Sequence, residues 1–235
     1  MTRSMDPSVD MPSIAPQHFS ATADTAGTTR ADDRDGHLFH PVDEALAAFP
    51  DFALSAATET GAAFVARGAR GFHDASRLVW RLPYGRNADR ADFRLVLAEG
   101  RGTCSTKHAL LAQLAAEHGA EVDLVVGIYA MRDANTPGVG AVLARHGLDA
   151  LPEAHCYLRG GGTRLDVTRA DAAAAEPIGH FLYEEAITPG GIGAHKEALH
   201  RRAMQRWVAD RLPGWMADDA WRVREACITA LASRA

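Results

Sequence analysis

Three side chains, taken in chain order, have the types that thiol chemistry requires: Cys104, His155 and Asp166. Cys104 stands where a glycine-punctuated loop passes into an amphipathic stretch, "RGTCSTKHALLAQLAAEHG". A helix N-terminus favours negative charge, and the thiolate is the nucleophilic form of cysteine. The first-turn amides lack intrahelical acceptors, so they can hold a developing oxyanion. His155, in "EAHCYL", is of the type that takes a thiol proton and returns it to a leaving group. Asp166, in "RLDVT", can fix the tautomer of that imidazole.

These roles depend on the elements that carry them. Cys104, Lys107, His108, Leu111, Leu114 and Ala115 recur at helical spacing, and Gly119 reads as the stop. "EVDLVVGIYAM" follows as a strand rich in β-branched residues. "EAHCYLRGGGTRLDVT" predicts a hairpin about a glycine cluster. On its first strand His155 and Tyr157 share a face, opposite Ala154, Cys156 and Leu158. On its second, Arg164, Asp166 and Thr168 share a face, opposite Leu165 and Val167. A turn at Gly160–Gly161 pairs Arg159 with Gly162 and sets His155 directly opposite Asp166. A four-residue loop gives the same pairing, whereas a three-residue loop sends the two side chains to opposite faces. The expectation is a direct His155–Asp166 pair.

The surrounding chain reads as helices first, strands in the middle and helices last, which is an α+β class. "VDEALAAF" and "ATETGAAFVARGA" are short helices, and Asp74 can cap "ASRLVWRL". "ADFRLVLAEG" is ambiguous between helix and strand, and "VGAVLARHG" holds about one helical turn. "AHKEALHRRAMQRWVADR" and "DDAWRVREACITALASR" are the closing helices. Residues 1–38 are rich in Pro, Ser, Thr, Asp and Ala and read as a disordered or loosely attached arm, leaving residues 39–235 as one domain.

A net charge of −5 gives no basic stripe for a nucleic-acid partner. No run has signal-peptide or transmembrane character, so no membrane partner is expected. Three cysteines form a poor disulfide framework, consistent with a soluble, cytoplasmic protein with free thiols. Cys156 and Cys227 read as core residues.

Tyr84, Arg86 and Asn87 precede the nucleophile in a polar turn and are candidate substrate contacts, as is Tyr157. Trp80, Tyr84 and Asn87 are the candidates to assist the oxyanion. Arg81, Arg86, Arg90 and Arg94 cluster there too, which suits an acidic or carboxylate-bearing substrate. His108, one turn after Cys104, reads first as a packed histidine and second as a substrate contact or ligand. That second reading feeds a rival, in which Cys104, His108, His155 and Asp166 hold a metal. A further rival is a binding module without catalysis.

"GTCSTKHALLAQLAAEHG", then a strand, then "EAHCYL" and "RLDVT" resemble the transglutaminase-like superfamily, a branch of the papain-like cysteine enzymes. Its pattern is a helix-initial Cys after Gly, a His on one strand and an Asp on the next, often as D-x-T. The matching residues are Cys104, His155 and Asp166, with Thr168 completing "DVT" and Tyr157 at the place of a frequent aromatic. The resemblance spans about residues 95–170. It implies a papain-like core and acyl transfer through a thioester on a small-molecule amide, peptide or protein substrate, without cofactor or metal. Hydrolysis is expected over transamidation, because nothing marks an amine site.

Overall fold

The computed structural model describes residues 41–170 and 178–232. The expected N-terminal arm, 1–38, lies outside the described residues. The first four helices are α1 (Pro41–Leu46), α2 (Glu59–Val65), α3 (Phe72–Arg81) and α4 (Leu95–Glu99). They lead to α5 (Cys104–Glu117), the helix that carries the cysteine. Next come β1 (Asp123–Met131), α6 (Gly140–Arg145), β2 (Leu151–Gly160), β3 (Thr163–Leu165) and β4 (Tyr183–Ile187). A 3-10 turn at Pro189–Ile192 leads into α7 (Ala194–Arg211) and α8 (Ala217–Ala232). The class is α+β. No helix among the described residues is long and apolar enough to cross a membrane.

The sheet is antiparallel in the order β3-β2-β1-β4. Helices cover its two central strands, so β1 and β2 are buried along most of their length instead of alternating. α5 packs against β2 and β1, with α2, α3 and α4 also lying against it. Leu111 and Leu114 are fully buried there, each contributing about 2 kcal/mol. A second apolar cluster joins the start of β2 and the end of β1 to α6, α7 and α8, through Met131, Leu143, Leu151, Met204 and Val223. It fixes α7 and α8 beside the start of α5.

Local chemistry sets the boundaries. Asp74 is not the cap of α3: Gly71 occupies that position, and the Asp74 carboxylate accepts the Arg70 amide from inside the first turn. The ambiguous "ADFRLVLAEG" is helical and stops at Gly100 in the left-handed conformation, φ 65°. α5 ends at Glu117 and is capped by His118, one residue before Gly119 at φ 66°. β4 was not anticipated.

The hairpin turn sits at Gly161–Gly162, not at Gly160–Gly161. Both glycines have positive φ, 54° and 76°, as a two-residue hairpin turn of the primed type requires. Leu158 pairs with Leu165, Arg159 with Arg164 and Gly160 with Thr163. The register thus differs from the expected one by two residues. A shift of two keeps every side chain on its face. Asp166 follows the end of β3 and meets His155 diagonally instead of directly opposite.

Candidate active site

Cys104 is the first residue of α5. Thr103 caps the helix, its hydroxyl accepting from the Thr106 amide while the Thr106 hydroxyl accepts from the Thr103 amide. Thr106 also donates to Asn87 Oδ1 at 2.9 Å, and Asn87 Nδ2 donates to Glu99 and the Arg101 carbonyl. The segment 83–85 runs beside 101–103, with reciprocal amide–carbonyl bonds linking Gly102 to Pro83 and Gly85. These contacts hold the cysteine at the mouth of the helix. The Cys104 and Ser105 amides find no acceptor among the described residues.

His155 Nε2 lies 2.7 Å from Asp166 Oδ2. Its other nitrogen, Nδ1, remains for Cys104, and the ring and the sulfur are close enough for each to shift the other's pKa. Burial alone would raise the Cys104 pKa. The charges of Lys196 and His155 and the Cys156 amide outweigh burial and bring it below the ordinary thiol value. Burial disfavours the His155 imidazolium, but Asp166 and the thiolate outweigh this and raise its pKa. Asp166 is held well below the usual carboxylate range: partial desolvation opposes ionisation, and His155 prevails, though the carboxylate keeps a solvent-facing side. The helix terminus is worth about 1 kcal/mol at exposed sites and up to about 2 kcal/mol in partly buried ones, about 1.5 pKa units at most. Specific cations must therefore do most of the activation. By contrast, burial pushes Cys156 up to about 12 and Cys227 up to about 11.

α5 also holds the aspartate. His108 is fully buried, and its Nδ1 donates to the Cys104 carbonyl at 2.7 Å while Nε2 accepts the Val167 amide at 2.8 Å. Burial keeps this ring neutral, with a pKa lowered to about 4. Lys107, equally buried, donates to the carbonyls of Leu82, Val167 and Thr168 at 2.6, 3.3 and 2.9 Å. One helix thus presents the nucleophile and grips the segment that carries Asp166.

A cavity of about 660 Å³ opens at the start of α5. Tyr84, Arg86, Asn87 and Arg90 line it from the polar turn, Glu153 from β2, Lys196 and His200 from α7, and Trp221 and Arg224 from α8. Arg224 holds the buried Glu153 through two 2.6 Å bonds, and Arg86 bonds Glu225 at 2.7 Å. Tyr84 finds no hydrogen-bond partner for its hydroxyl among the described residues, and burial, then the nearby Cys104, raises its pKa.

The expected residues therefore divide. Cys104, His155 and Asp166 come together, and Tyr84, Arg86 and Asn87 line the cavity. The Asn87 amide is already committed on both sides, so it offers no free N–H to an oxyanion. Trp80, Arg81 and Arg94 do not line the cavity; Arg94 pairs with Glu59 and Asp92. Two proposed contacts lie elsewhere. Tyr157 is buried, stacks on Phe181 and bonds Glu184. His108 faces main chain on both nitrogens, so it has no lone pair for a metal. Among the described residues no three His, Cys, Asp or Glu side chains form a set that could hold a metal ion. Lys196, Glu153 and Arg224 were missed. Glu153 carried a signal, since it sits two residues before His155 on a strand and shares its face. Lys196 carried none, because only tertiary packing brings α7 to α5. Compared with protein families, with curated proteins and with solved structures, the chain shows no significant match.

Proposed function

We propose that the protein is a cysteine-dependent acyl-transfer enzyme of transglutaminase-like type, built on a papain-like core and acting as an amide or peptide hydrolase. The observation that carries this reading is the convergence of Cys104, at a capped helix start, with the 2.7 Å His155–Asp166 pair beside an open cavity.

The Cys104 thiolate attacks the carbonyl carbon of an amide, and the π electrons move to oxygen. The Cys104 and Ser105 amides face the oxyanion, and the Tyr84 hydroxyl stands near it. Collapse breaks the C–N bond as His155 Nδ1–H protonates the leaving amine, leaving a thioester and neutral imidazole. Water then attacks the thioester while Nδ1 takes its proton. The acid departs and the thiolate–imidazolium pair is restored. Asp166 keeps the ring oriented throughout.

The test needs no knowledge of the natural substrate. Treatment with p-nitrophenyl acetate should acetylate Cys104, read as a mass increase that decays as water resolves the thioester. Cys104→Ala should show neither step, and His155→Ala should slow the decay of the acetyl-enzyme by about 10³-fold or more, because water then lacks its general base. Equal labelling of Cys156 and Cys227 would sink the proposal.

A further inference from the structure

Lys196, in the first turn of α7, reaches across the cavity wall and donates to Ser105 Oγ at 2.8 Å. It makes no ion pair with a carboxylate among the described residues, although Glu153 and Glu197 line the same cavity. Ser105 follows Cys104 on α5, and its hydroxyl lies 3.9 Å from the Cys104 sulfur. An ammonium can only donate, so it occupies a lone pair of the Ser105 oxygen. The hydroxyl proton must then point elsewhere; the sulfurs of Cys104 and Cys156 both neighbour it, and a Cys104 thiolate is the stronger acceptor of the two.

We propose that Lys196, acting through Ser105, is a positioning residue that holds Cys104 as a thiolate independently of His155. The proposal rests on the reading of Cys104 as nucleophile. It gives the thiolate two cations on different elements: an imidazolium on β2 and an ammonium on α7. The two have different fates. The imidazolium gives up its proton to the leaving amine, whereas the ammonium keeps its charge through the cycle and is there when the thiolate leaves the thioester.

The charged and titratable groups around the sulfur and its cavity come from every element packed there. They are His108 on α5, Tyr129 on β1, His155, Cys156 and Glu153 on β2, Asp166 after β3, Tyr84, Arg86, Asp89 and Arg90 in the polar turn, Lys196, Glu197 and His200 on α7 and Arg224 on α8. Arg224 is committed to Glu153 and Glu225, and Arg86 to Glu225. His108 is neutral. Besides His155, which Asp166 holds, Lys196 is the cation in this set that reaches the sulfur through a hydrogen-bonded neighbour and touches no carboxylate among the described residues. Burial opposes its charge, and the neighbouring Cys104, Cys156 and Glu153 favour it, so it stays protonated.

The experiment is the pH profile of Cys104 alkylation by iodoacetamide on the full chain, read site by site by mass spectrometry. The reagent is neutral, so removing a lysine does not alter its attraction to the site. Wild type should show a midpoint below the ordinary thiol value of about 8.5. Lys196→Met should raise the midpoint from about 6 by about one pH unit or more, which makes alkylation at pH 6 about fivefold slower or more. Lys196→Arg should restore most of the rate, and Ser105→Ala should shift the midpoint the same way by less. His155→Ala should keep a midpoint below 8.5 while losing acetyl turnover. A Lys196→Met or Ser105→Ala profile superimposable on wild type overturns the proposal and leaves the nucleophile reading standing. A wild-type midpoint already at 8.5 overturns both.

Discussion

Lys107 and Lys196, and likewise His108 and His155, lie near the start of α5, and each pair is split between a closed side and an open one. On the closed side Lys107 spends its ammonium on three main-chain carbonyls, and His108 spends both ring nitrogens on main chain. On the open side Lys196 has one hydroxyl acceptor, and His155 has one carboxylate and a thiol. Residue type is the same; the partners differ. Main-chain partners cannot leave, so Lys107 and His108 fix geometry. Side-chain partners and an adjoining cavity leave Lys196 and His155 with capacity for a reacting group. The closed side acts as the rigid support that keeps Asp166 against His155.

The largest effect should come from breaking the closed side at Lys107. Lys107→Met keeps the stem but strands the buried carbonyls that the ammonium served, those of Val167 and Thr168 among them. A loss of about 3 kcal/mol or more in unfolding free energy is expected. Urea denaturation measures it. A loss below about 1 kcal/mol would mean that the segment holds itself without the helix.

His108 gives a smaller effect with a pH signature. Its folded pKa, about 4, is below the ordinary value of about 6.5, so the unfolded chain binds the proton first. Its contribution is full above about 6.5 and is lost as pH falls towards 4. Between pH 7 and pH 5 that loss is about 2 kcal/mol. His108→Leu should lower stability at pH 7 by about 2 kcal/mol, because the Val167 amide loses its acceptor. The variant should then show a shallower decline towards pH 5 than wild type. Parallel declines would show that His108 does not titrate in this window.

This division also marks what could be read in advance. The helix start, the hairpin and the shared face of His155 and Asp166 follow from local pattern, since period and glycine chemistry are local. Which glycines turn is not local. A Cβ at Gly161 would lie 2.1 Å from the Ala48 carbonyl oxygen, and one at Gly160 would press on Phe49 at 2.9 Å. Contacts with the α1 region thus settle a register that three consecutive glycines leave open. β4 was hidden because "YEEAI" is not strand-like in composition; long-range pairing with β1 forms it. Main-chain partners are likewise invisible in sequence. His108 reads first as a packed histidine, as it is, and its second reading as a substrate contact stays open in sequence because no spacing rule reveals that the Val167 amide will meet its free nitrogen. The cavity wall from α7 and α8 depends on a core assembled from five elements, so Lys196 could not be placed before the fold was known.

The smallest effect on stability should come from the open side. Lys196 is half-buried at the edge of the cavity, and its hydrogen bond goes to a hydroxyl that can turn to water or to sulfur instead. Removing it strands no main-chain group and breaks no ion pair with a carboxylate. The stem of Met covers the same wall, and loss of the ammonium removes its unfavourable burial along with its attraction to the thiolate. Loss of that attraction raises the thiol's folded pKa by about one unit, so Lys196→Met should lower the unfolding free energy at pH 7 by about 1 kcal/mol, against about 3 kcal/mol or more for Lys107→Met. Urea midpoints of the two variants, measured side by side with wild type, decide the matter. Near-equal losses would mean that both lysines are structural, and the contrast between a rigid support and a chemically free face would collapse. A small loss at Lys196 together with a large one at Lys107 assigns the two ammonium groups to different work, one to geometry and one to charge.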